Sequence, residues 1–489
     1  MYRDPTADDG AWVTDGDTGL GGQGPAAQGP AGREPGVGLR PGAARLTLLA
    51  GSVTALVTAV LLGSALSLTN KWACRAGAWN GYLSQFQAHC YTDIYPLYFG
   101  EGLSSGKVPY VDHPVEYPVL IGGAMQLVAW LVHPISNPFS RGREFFDLTI
   151  VLLTLFALVG VLATAYLAGP SRRWTALGVA LAPAVILAAF INWDLIAMGL
   201  AMAGMAAWAA RRGVLAGVLL GLAVATKFYP LLFFGPLLLL CLRAGRMREF
   251  WVTFGSAAVA WLVVDLPVLI VAPAGWARFY QLSDTRSADW GSIWYFFETE
   301  HWPVVGTASV STLNVISAGV FGVACVLIVL LTLGAPRRPR VAQLFFLTLA
   351  TFLLSNKVWS PQYVVWLAPL VVLARPRLGA YLLWQVAEVG YFFAIWAYLI
   401  TVSVTGPSFI GVGGIGAGLY FTALIARFAT VLLLCGLVVR DILQPAHDVV
   451  RAGGADDPAG GVLSSAPDRL VLRLGPRRSR QPATAASAR

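Results

Sequence analysis

A long succession of apolar segments constrains this chain more than any other feature. Thirteen such segments follow one another, at 46–68, 117–135, 144–168, 174–191, 193–210, 213–226, 228–243, 249–272, 305–333, 341–355, 361–374, 378–402 and 412–438. Only 12% of the residues are charged, whereas a soluble domain carries about 25%. Because a bilayer span needs roughly 20 apolar residues, the sequence predicts an all-α, polytopic integral membrane protein with about 12 transmembrane helices.

The segments before and after this apolar region differ from it in composition. Residues 1–45 are rich in Gly, Pro, Ala and Asp and show no apolar periodicity, so they bury too little surface to offset their chain entropy. Residues 441–489 return to Ala, Gly, Pro, Arg and Ser. We therefore predict a disordered N-terminal tail over 1–45, a transmembrane domain over 46–440 and a disordered, basic C-terminal tail over 441–489.

Arginines mark alternate loops between the apolar segments: Arg172, Arg173, Arg211, Arg212, Arg243, Arg246, Arg248, Arg337, Arg338, Arg340, Arg375, Arg377 and Arg440. Lys and Arg accumulate on the cytoplasmic side of a membrane protein. Both tails are therefore predicted to be cytoplasmic, and the loops 70–143 and 273–304 exterior, at the plasma membrane. This assignment requires that one segment does not cross, and we assign 117–135 as a juxtamembrane helix within the first exterior loop.

The formal net charge of +9 does not indicate nucleic-acid binding. The basic residues stand singly or in small groups between apolar runs, which is the distribution of topology signals. In the assigned orientation Arg141 and Arg143 lie on the exterior side as exceptions. Nucleic acid is therefore excluded as a partner, and membrane lipids are expected around the chain.

Polar chemistry concentrates at residues 90–118. This stretch holds four carboxylates and five tyrosines: Asp93, Glu101, Asp112, Glu116, Tyr91, Tyr95, Tyr98, Tyr110 and Tyr117. Carboxylates beside stacking aromatic rings suit a sugar substrate. On the same predicted side, Lys227 and Lys357 each interrupt a pair of short spans together with a nearby proline. Such breaks mark backbone that lines a cavity in the protein instead of facing lipid.

Six motifs occur in a fixed order along the chain: Asp93-Ile94-Tyr95, GKVPYVD at 106–112, Glu116-Tyr117-Pro118, Asn192-Trp193-Asp194, ATKFYP at 225–230 and NKVWSPQY at 356–363. In order and spacing they resemble glycosyltransferase family 87 over roughly residues 46–440. These are actinobacterial polyprenyl-phosphate-mannose-dependent α-mannosyltransferases of the GT-C fold, such as the phosphatidylinositol-mannoside mannosyltransferases. The resemblance implies a GT-C-type enzyme, a catalytic acidic residue in the first exterior loop and a lipid-linked mannose donor.

Asp93 is the predicted general base. An inverting transfer needs a base for the proton of the acceptor hydroxyl, and Asp93 lies nearest the position to which the resemblance points. The alternative is a solvated loop residue or a helix cap. Lys227 and Lys357 are predicted to bind the donor phosphate, the alternative being lysines that snorkel to the membrane surface. Because cations can screen the departing phosphate, neither a metal nor a cofactor is predicted.

Further residues are predicted to contact the substrates: Asp112, Glu116, Asp194, His301, Tyr95 and Tyr110. Each has a structural alternative. Asp112 lies in a sequence typical of a turn, whereas Glu116 and Asp194 stand where helices begin. His301 is also typical of an ordinary polar loop, and aromatic rings of exterior loops are equally typical of a membrane interface.

Two pairs of residues are predicted to meet. Cys74 and Cys90 both fall in the first exterior loop, 16 residues apart, and an oxidising compartment favours a disulfide between them over two free thiols. Glu388 and Arg427 lie at similar depths, about 15 to 17 Å from the same ends of consecutive spans, by the helical rise of about 1.5 Å per residue. Since an unpaired charge within a bilayer is costly, we predict an ion pair, the alternative being that Arg427 alone reaches a lipid phosphate or another partner.

These features predict an inverting hexosyltransferase that uses a polyprenyl-phosphate-sugar donor, mannose or another hexose being the sugar. Its acceptor is predicted to be a cell-envelope glycolipid or glycan on the outer face. A transporter or flippase of polyprenyl-linked sugar is the alternative, because it would also use broken helices and intramembrane charge. Transporters of this kind commonly consist of related halves, and no internal repeat is visible in the sequence.

Overall fold

The computed structural model describes residues 41–404, 411–464 and 466–472. Of the predicted N-terminal tail it describes only 41–45, which are already helical and continue into the first span. The rest of that tail lies outside the described residues. By compactness the chain divides into residues 1–49 and residues 50–489, and every side-chain feature reported below belongs to the second unit.

The described residues form helices, turns and loops, without a β-strand among them. The prediction of an all-α chain is confirmed. The helices of seven residues or more are α1 (Pro41–Ala76), α2 (Ile94–Gly100), α3 (Val119–Val132), α4 (Pro138–Ala168), α5 (Asp194–Ala209), α6 (Gly213–Thr226), α7 (Phe234–Ala244), α8 (Met247–Val271), α9 (Pro273–Thr285), α10 (Ile293–Thr299), α11 (Val310–Gly334), α12 (Val341–Ser355), α13 (Val364–Ala374), α14 (Leu378–Ser403) and α15 (Ala417–Leu443).

Six of these helices are long and apolar enough to cross a bilayer, namely α1 through its part Ala50–Ala76, α4, α8, α11, α14 and α15. Shorter apolar helices accompany them at Val119–Val132, Asp194–Ala209, Gly213–Thr226, Tyr229–Ala244, Val341–Ser355 and Pro361–Ala374. The chain is a multi-pass membrane protein, as the sequence predicts. The total of about 12 spans and the juxtamembrane position of α3 remain predictions.

The segment 174–191, predicted as one span, is not one helix. It consists of two short α-helices, Leu177–Ala180 and Pro183–Ala188, behind a turn of 3-10 helix. Proline has no backbone N–H and disfavours helical backbone at the residue before it. Ala182 is accordingly extended, with φ −64° and ψ 120°, so the chain bends at this point and the second helix starts at Pro183.

Glycines bring α6 and α8 into close contact. At Gly217 an added Cβ would collide with the Thr253 carbonyl, and at Gly221 with the Ala257 carbonyl. The two glycines are four residues apart and therefore lie on one face of α6. Small residues at this spacing let helix backbones approach within a membrane. The short, uncharged α6 is thus held by direct backbone packing against the long span α8.

The predicted ion pair between α14 and α15 is confirmed. Arg427 Nε lies 2.9 Å from Glu388 Oε2, and the two side chains are 0% and 2% exposed. Arg427 also donates to the Trp359 carbonyl at 2.9 Å, while Trp384 donates to Glu388 at 3.0 Å. The pair therefore joins the two spans to the loop that precedes α13, and each charge has more than one partner.

The prediction of a disordered tail over 441–489 is wrong for residues 441–464 and 466–472, which the structure describes. Residues 441–443 complete α15, and a helical turn at Val449–Ala452 follows. Val450 and Leu463 are buried in this segment, at 3% and 1% exposure. Residues 465 and 473–489 lie outside the described part. The rest of 441–472 has a defined structure that packs against the loops between the spans.

Acidic side chains of this segment bind arginines at the ends of the spans. Asp448 lies 2.8 Å from Arg340 and Asp468 lies 2.6 Å from Arg243. Arg340 also donates to the carbonyls of Leu373 and Ala374, at 2.9 and 2.6 Å. The last carbonyls of a helix have no partner within the helix and favour a cation. Composition alone missed this packing because it depends on single acids that match distant arginines.

Charge reversal tests the pair in the bundle. Arg427→Glu or Glu388→Arg alone should lower yield and melting temperature strongly, because breaking a buried pair costs about 3–5 kcal/mol. The double exchange should recover part of the loss, since it restores the attraction but not the bonds of Arg427 to backbone carbonyls. Thermal unfolding in detergent measures the effect. If the double variant loses as much stability as the two single variants together, the pairing is not what stabilises these spans.

Asp448→Ala should destabilise the protein through Arg340. This change leaves a guanidinium that is 2% exposed without its carboxylate, at a cost of about 3–5 kcal/mol. Arg337→Ala is the matched control, because the Arg337 side chain is 55% exposed, its partner Asp456 is 41% exposed, and exposed pairs contribute about 0–1 kcal/mol. Melting temperatures of both variants measure the difference. Equal melting temperatures would mean that the C-terminal segment only rests on the arginine ends without stabilising them.

Candidate functional site

The C-terminal end of α1 holds the segment 89–91 through three side chains of one helical turn. Asn70 donates to the His89 carbonyl at 3.2 Å, and Lys71 donates to the Tyr91 carbonyl at 2.9 Å. Cys74 forms a disulfide with Cys90. The predicted disulfide is therefore confirmed, and it lies immediately before Asp93 in the sequence.

The other side of this segment is bound to the turn that precedes α5. The Thr92 hydroxyl donates to the Phe190 carbonyl at 2.8 Å. The backbone N–H of Asp93 donates to the Ile191 carbonyl at 2.7 Å. Because bonds from two different parts of the chain fix residues 92 and 93, the backbone that carries Asp93 has a single position close to Asn192 and Asp194.

The Asp93 carboxylate accepts one hydrogen bond at each oxygen. The Tyr91 hydroxyl donates to Oδ1 at 2.6 Å, and the Tyr117 hydroxyl donates to Oδ2 at 3.1 Å. Asp93 stands just before α2, at the cap position, yet its side chain makes no hydrogen bond to that helix. The carboxylate is thus directed toward the two tyrosines and away from the role of a helix cap.

The environment makes Asp93 a stronger base than an exposed aspartate. Burial raises the pKa of Asp93 to about 6, the two tyrosine hydroxyls oppose this, the field of Glu116 adds to it and the field of Lys227 lowers it. The residue still keeps some accessible surface. At neutral pH the carboxylate is therefore ionised, while it binds a proton more tightly than a free side chain does.

Lys227 and Asp194 form an ion pair next to the base. Lys227 Nζ lies 3.0 Å from Asp194 Oδ1, and the Asp194 side chain is 2% exposed. The same ammonium lies 4.6 Å from the centroid of the Tyr117 ring. Tyr117 in turn binds Asp93, so the structure brings three predicted site residues, Asp93, Asp194 and Lys227, together around one tyrosine.

Lys357 belongs to a neighbouring group. It is 5% exposed, and its ammonium donates to the Asp284 carbonyl at 2.9 Å. Its own carbonyl accepts from the Asp289 N–H at 2.8 Å. Burial lowers the pKa of Lys357, the nearby charge of Asp284 raises it, and the charge of Arg286 lowers it. Two cations, Lys357 and Arg286, therefore lie close to each other where the chain leaves α9.

The carboxylates of the first loop have separate positions. Asp112 is exposed and accepts from the Val108 N–H at 2.9 Å, which is the turn contact given above as its alternative. Glu116 lies near enough to raise the pKa of Asp93. Glu101 faces His113, with 3.3 Å between Oε2 and Nε2. Burial and the charge of Glu116 raise the pKa of Glu101 to about 7, so this part of the loop is rich in negative charge.

The remaining predicted contacts lie away from the Asp93 carboxylate. Tyr95 stacks on Trp79, with 4.1 Å between the ring centroids. The Tyr110 hydroxyl donates to the Pro118 carbonyl at 2.7 Å and accepts from the Gly122 N–H at 3.2 Å, which secures the start of α3. His301 is exposed on the turn after α10. The structure brings none of these three into hydrogen-bond contact with Asp93, and their substrate contacts remain predictions.

Three residues that contact this site were not predicted as part of it. Tyr91 and Tyr117 bind the carboxylate, and Lys71, fully buried at 0% exposure, binds the backbone beside it. The tyrosines were visible as neighbours of acids in the sequence, but sequence spacing does not show which way each ring points. Lys71 carried a clearer signal, because an ionisable residue within an apolar span usually has a specific partner or function.

The family model described as glycosyltransferase family 87 matches residues 134–361. This is shorter than the region 46–440 over which the motifs resemble that family; it includes Asp194, Lys227, His301 and Lys357 but begins after Asp93. No curated protein matches the chain. Among solved structures, the chain is similar to the crystal structure of ArnT from Cupriavidus metallidurans bound to undecaprenyl phosphate, with 18% identity and a TM-score of 0.40, over 83% of this chain and 79% of that one.

Lys227→Met should both destabilise the protein and impair the site. Loss of the ammonium leaves the buried Asp194 carboxylate unpaired, which costs about 3–5 kcal/mol, so the melting temperature should fall. The double variant Lys227→Met/Asp194→Asn should recover much of that stability. Lys107→Met, at an exposed position of the first loop, is the control and should melt like the wild type. If Lys227→Met alone melts like the wild type, the ion pair is not a structural contact.

Proposed function

We propose that the chain, whose residues 134–361 match the model of glycosyltransferase family 87, transfers a hexose, mannose, from a polyprenyl phosphate to a cell-envelope glycolipid or glycan. It is a multi-pass membrane glycosyltransferase. The donor, the acceptor class and the base Asp93 are the parts that this proposal adds. The acceptor reaches the site from the exterior face of the plasma membrane, and both termini lie in the cytoplasm.

The observation that carries the proposal is the state of the Asp93 carboxylate. It combines a pKa of about 6 with two tyrosine donors and with a backbone bound on both sides. A general base works best when its pKa lies near the working pH and its direction is fixed. A carboxylate that only capped a helix would need neither the paired hydroxyls nor the lysine beside Tyr117.

The proposed reaction uses Asp93 as its base. Asp93 takes the proton of an acceptor hydroxyl, and the hydroxyl oxygen attacks the anomeric carbon of the donor sugar. The bond between that carbon and the phosphate oxygen breaks, and polyprenyl phosphate leaves with the electron pair. Attack opposite to the leaving group inverts the anomeric configuration. One carboxylate suffices for such a step, because the phosphate is already a good leaving group when cations stabilise its charge.

The two lysines differ in the groups that already contact them, and this difference affects which one binds the departing phosphate. Lys227 already faces the Asp194 carboxylate at 3.0 Å, so its charge is neutralised at the site. Lys357 donates to a neutral carbonyl and lies near a second cation, Arg286. The charge of Asp284 favours the ammonium of Lys357, and Arg286 lies 3.5 Å from Asp289. We propose that the donor phosphate binds near Lys357 and Arg286, because two cations lie close together there.

The distribution of charged helix ends supports the orientation. Lys227 ends α6 and Lys357 follows α12. Arg243 lies in the last turn of α7, the helix that follows Lys227, and Arg340 lies just before α12, the helix that ends next to Lys357. Since arginines accumulate on the cytoplasmic side, the end of the bundle that carries Asp93 and both lysines is assigned to the exterior.

Asp93→Asn should abolish transfer while the protein still folds and binds the donor. The amide keeps the shape of the side chain but cannot accept the proton, and a general base contributes roughly 10²- to 10⁴-fold to a rate. Glu298→Gln is the matched control, because that carboxylate is exposed on α10 and has no predicted contact with a substrate. Its rate should stay within about twofold of the wild type, as expected for a group that does not take the proton.

Purified protein in detergent, incubated with labelled polyprenyl-phosphate-mannose and cell-envelope lipids, measures both variants. An enzyme releases polyprenyl phosphate and forms a labelled glycolipid or glycan, whereas a transporter of the same donor leaves it intact. If the Asp93→Asn variant retains more than about a tenth of the wild-type rate, the base is another residue. If the wild type leaves the donor unchanged with every acceptor fraction, the transfer itself is refuted.

A further inference from the structure

We infer that Tyr91 and Tyr117 are positioning residues, which aim the Asp93 carboxylate at the acceptor hydroxyl and keep it able to accept a proton. The inference rests on the proposed function, since it takes Asp93 as the base. It assigns a role to two side chains that come from different parts of the first loop, two residues before the carboxylate and 24 residues after it.

The two hydroxyls fix the plane of the carboxylate. An ionised carboxylate only accepts hydrogen bonds, and its two oxygens offer about four lone-pair sites. One tyrosine donates to each oxygen, at 2.6 and 3.1 Å. Rotation about the bond between Cβ and Cγ would break both bonds at once. One lone pair on each oxygen remains available, and a proton from the acceptor must arrive along one of these directions.

The rings that carry these hydroxyls are themselves held in place. Tyr91 stacks on Trp396, with 4.6 Å between the centroids, and its carbonyl accepts from Lys71. Tyr117 packs edge-on against Trp193, with 5.5 Å between the centroids, and its face lies under the ammonium of Lys227. Neither hydroxyl can follow the carboxylate if that group turns. The direction of the base is therefore determined by the surrounding helices.

Charged groups of several elements face this site. They are Lys71 on α1, Glu116 before α3, Asp194 on α5, Lys227 after α6 and Arg286 after α9. Burial and the charge of Glu116 raise the pKa of Asp93, whereas the tyrosine hydroxyls and Lys227 lower it. Hydrogen bonds donated to a carboxylate stabilise its charged form. Without either hydroxyl, Asp93 should remain protonated, and inactive as a base, up to a higher pH.

Tyr91→Phe and Tyr117→Phe test this role, because each removes a hydroxyl and keeps the ring. The rate of the wild type should fall below about pH 6, where Asp93 gains its proton. In each variant this acidic limb should move upward by about one pH unit, the size expected for a charged hydrogen bond, and further in the double variant. The plateau of kcat should also fall, while KM for the donor stays near the wild-type value.

Tyr98→Phe is the matched control, since that buried tyrosine lies five residues after Asp93 and its ring packs against Phe145, with 4.6 Å between the centroids. Its acidic limb should stay at the wild-type pH. A loss of rate in Tyr91→Phe and Tyr117→Phe that is equal at every pH would show that both rings are merely structural, and would overturn the inference. If Asp93→Asn keeps its activity, the proposed base fails instead, and the two failures are thus distinguishable.

A fluorinated tyrosine provides the measurement if the phenylalanine variants do not fold. Replacing Tyr117 by 3,5-difluorotyrosine keeps the ring and the hydroxyl but makes the phenol a stronger hydrogen-bond donor. The acidic limb should then move to a lower pH, opposite to the shift in the phenylalanine variants. An unmoved limb in this protein would mean that the Tyr117 hydroxyl does not influence proton transfer.

Discussion

The structure depends on pairing the few charges that lie within an apolar body. An unpaired charge in such surroundings is costly, and the chain meets this constraint with partners from distant segments. Glu388 and Arg427 join two spans, Arg340 and Asp448 join a span to the C-terminal segment, and Lys227 with Asp194 lies beside the base. The same rule that stabilises the bundle thus also supplies the charges of the proposed site.

The position of the proposed base, Asp93, is determined by direct bonds between the residues next to it and two other parts of the fold. Side chains of one turn of α1 bind residues 89–91, and the turn before α5 binds residues 92 and 93. A carboxylate on a flexible loop would lose conformational entropy each time it adopted the reactive orientation. Here the helices determine that orientation in advance, so the loop that carries Asp93 acts as a rigid part of the membrane domain.

Sequence patterns predicted the helices better than the contacts between side chains. The apolar segments gave α6 and α12 at their observed bounds, because charged residues flank both of them, Arg212 and Lys227 for α6 and Arg340 and Lys357 for α12. Depth along two neighbouring spans gave the pair of Glu388 with Arg427. The break at Pro183 was missed, since the flanking residues are all apolar and hide it. The pairing of Asp93 with two tyrosines could not be predicted, because it depends on how the loop folds over the turn at 190–193.

The order in which the chain is synthesised determines when the acids of the C-terminal segment can pair with their arginines. Arg340 leaves the ribosome 108 residues before its partner Asp448, and Arg243 leaves it 225 residues before Asp468. While the spans enter the membrane, these arginines therefore keep their full charge and can act as topology signals. Neutralisation comes only after the last span has been made. In the proposed orientation, the late acids allow one set of arginines to direct insertion first and to cap helix ends afterwards.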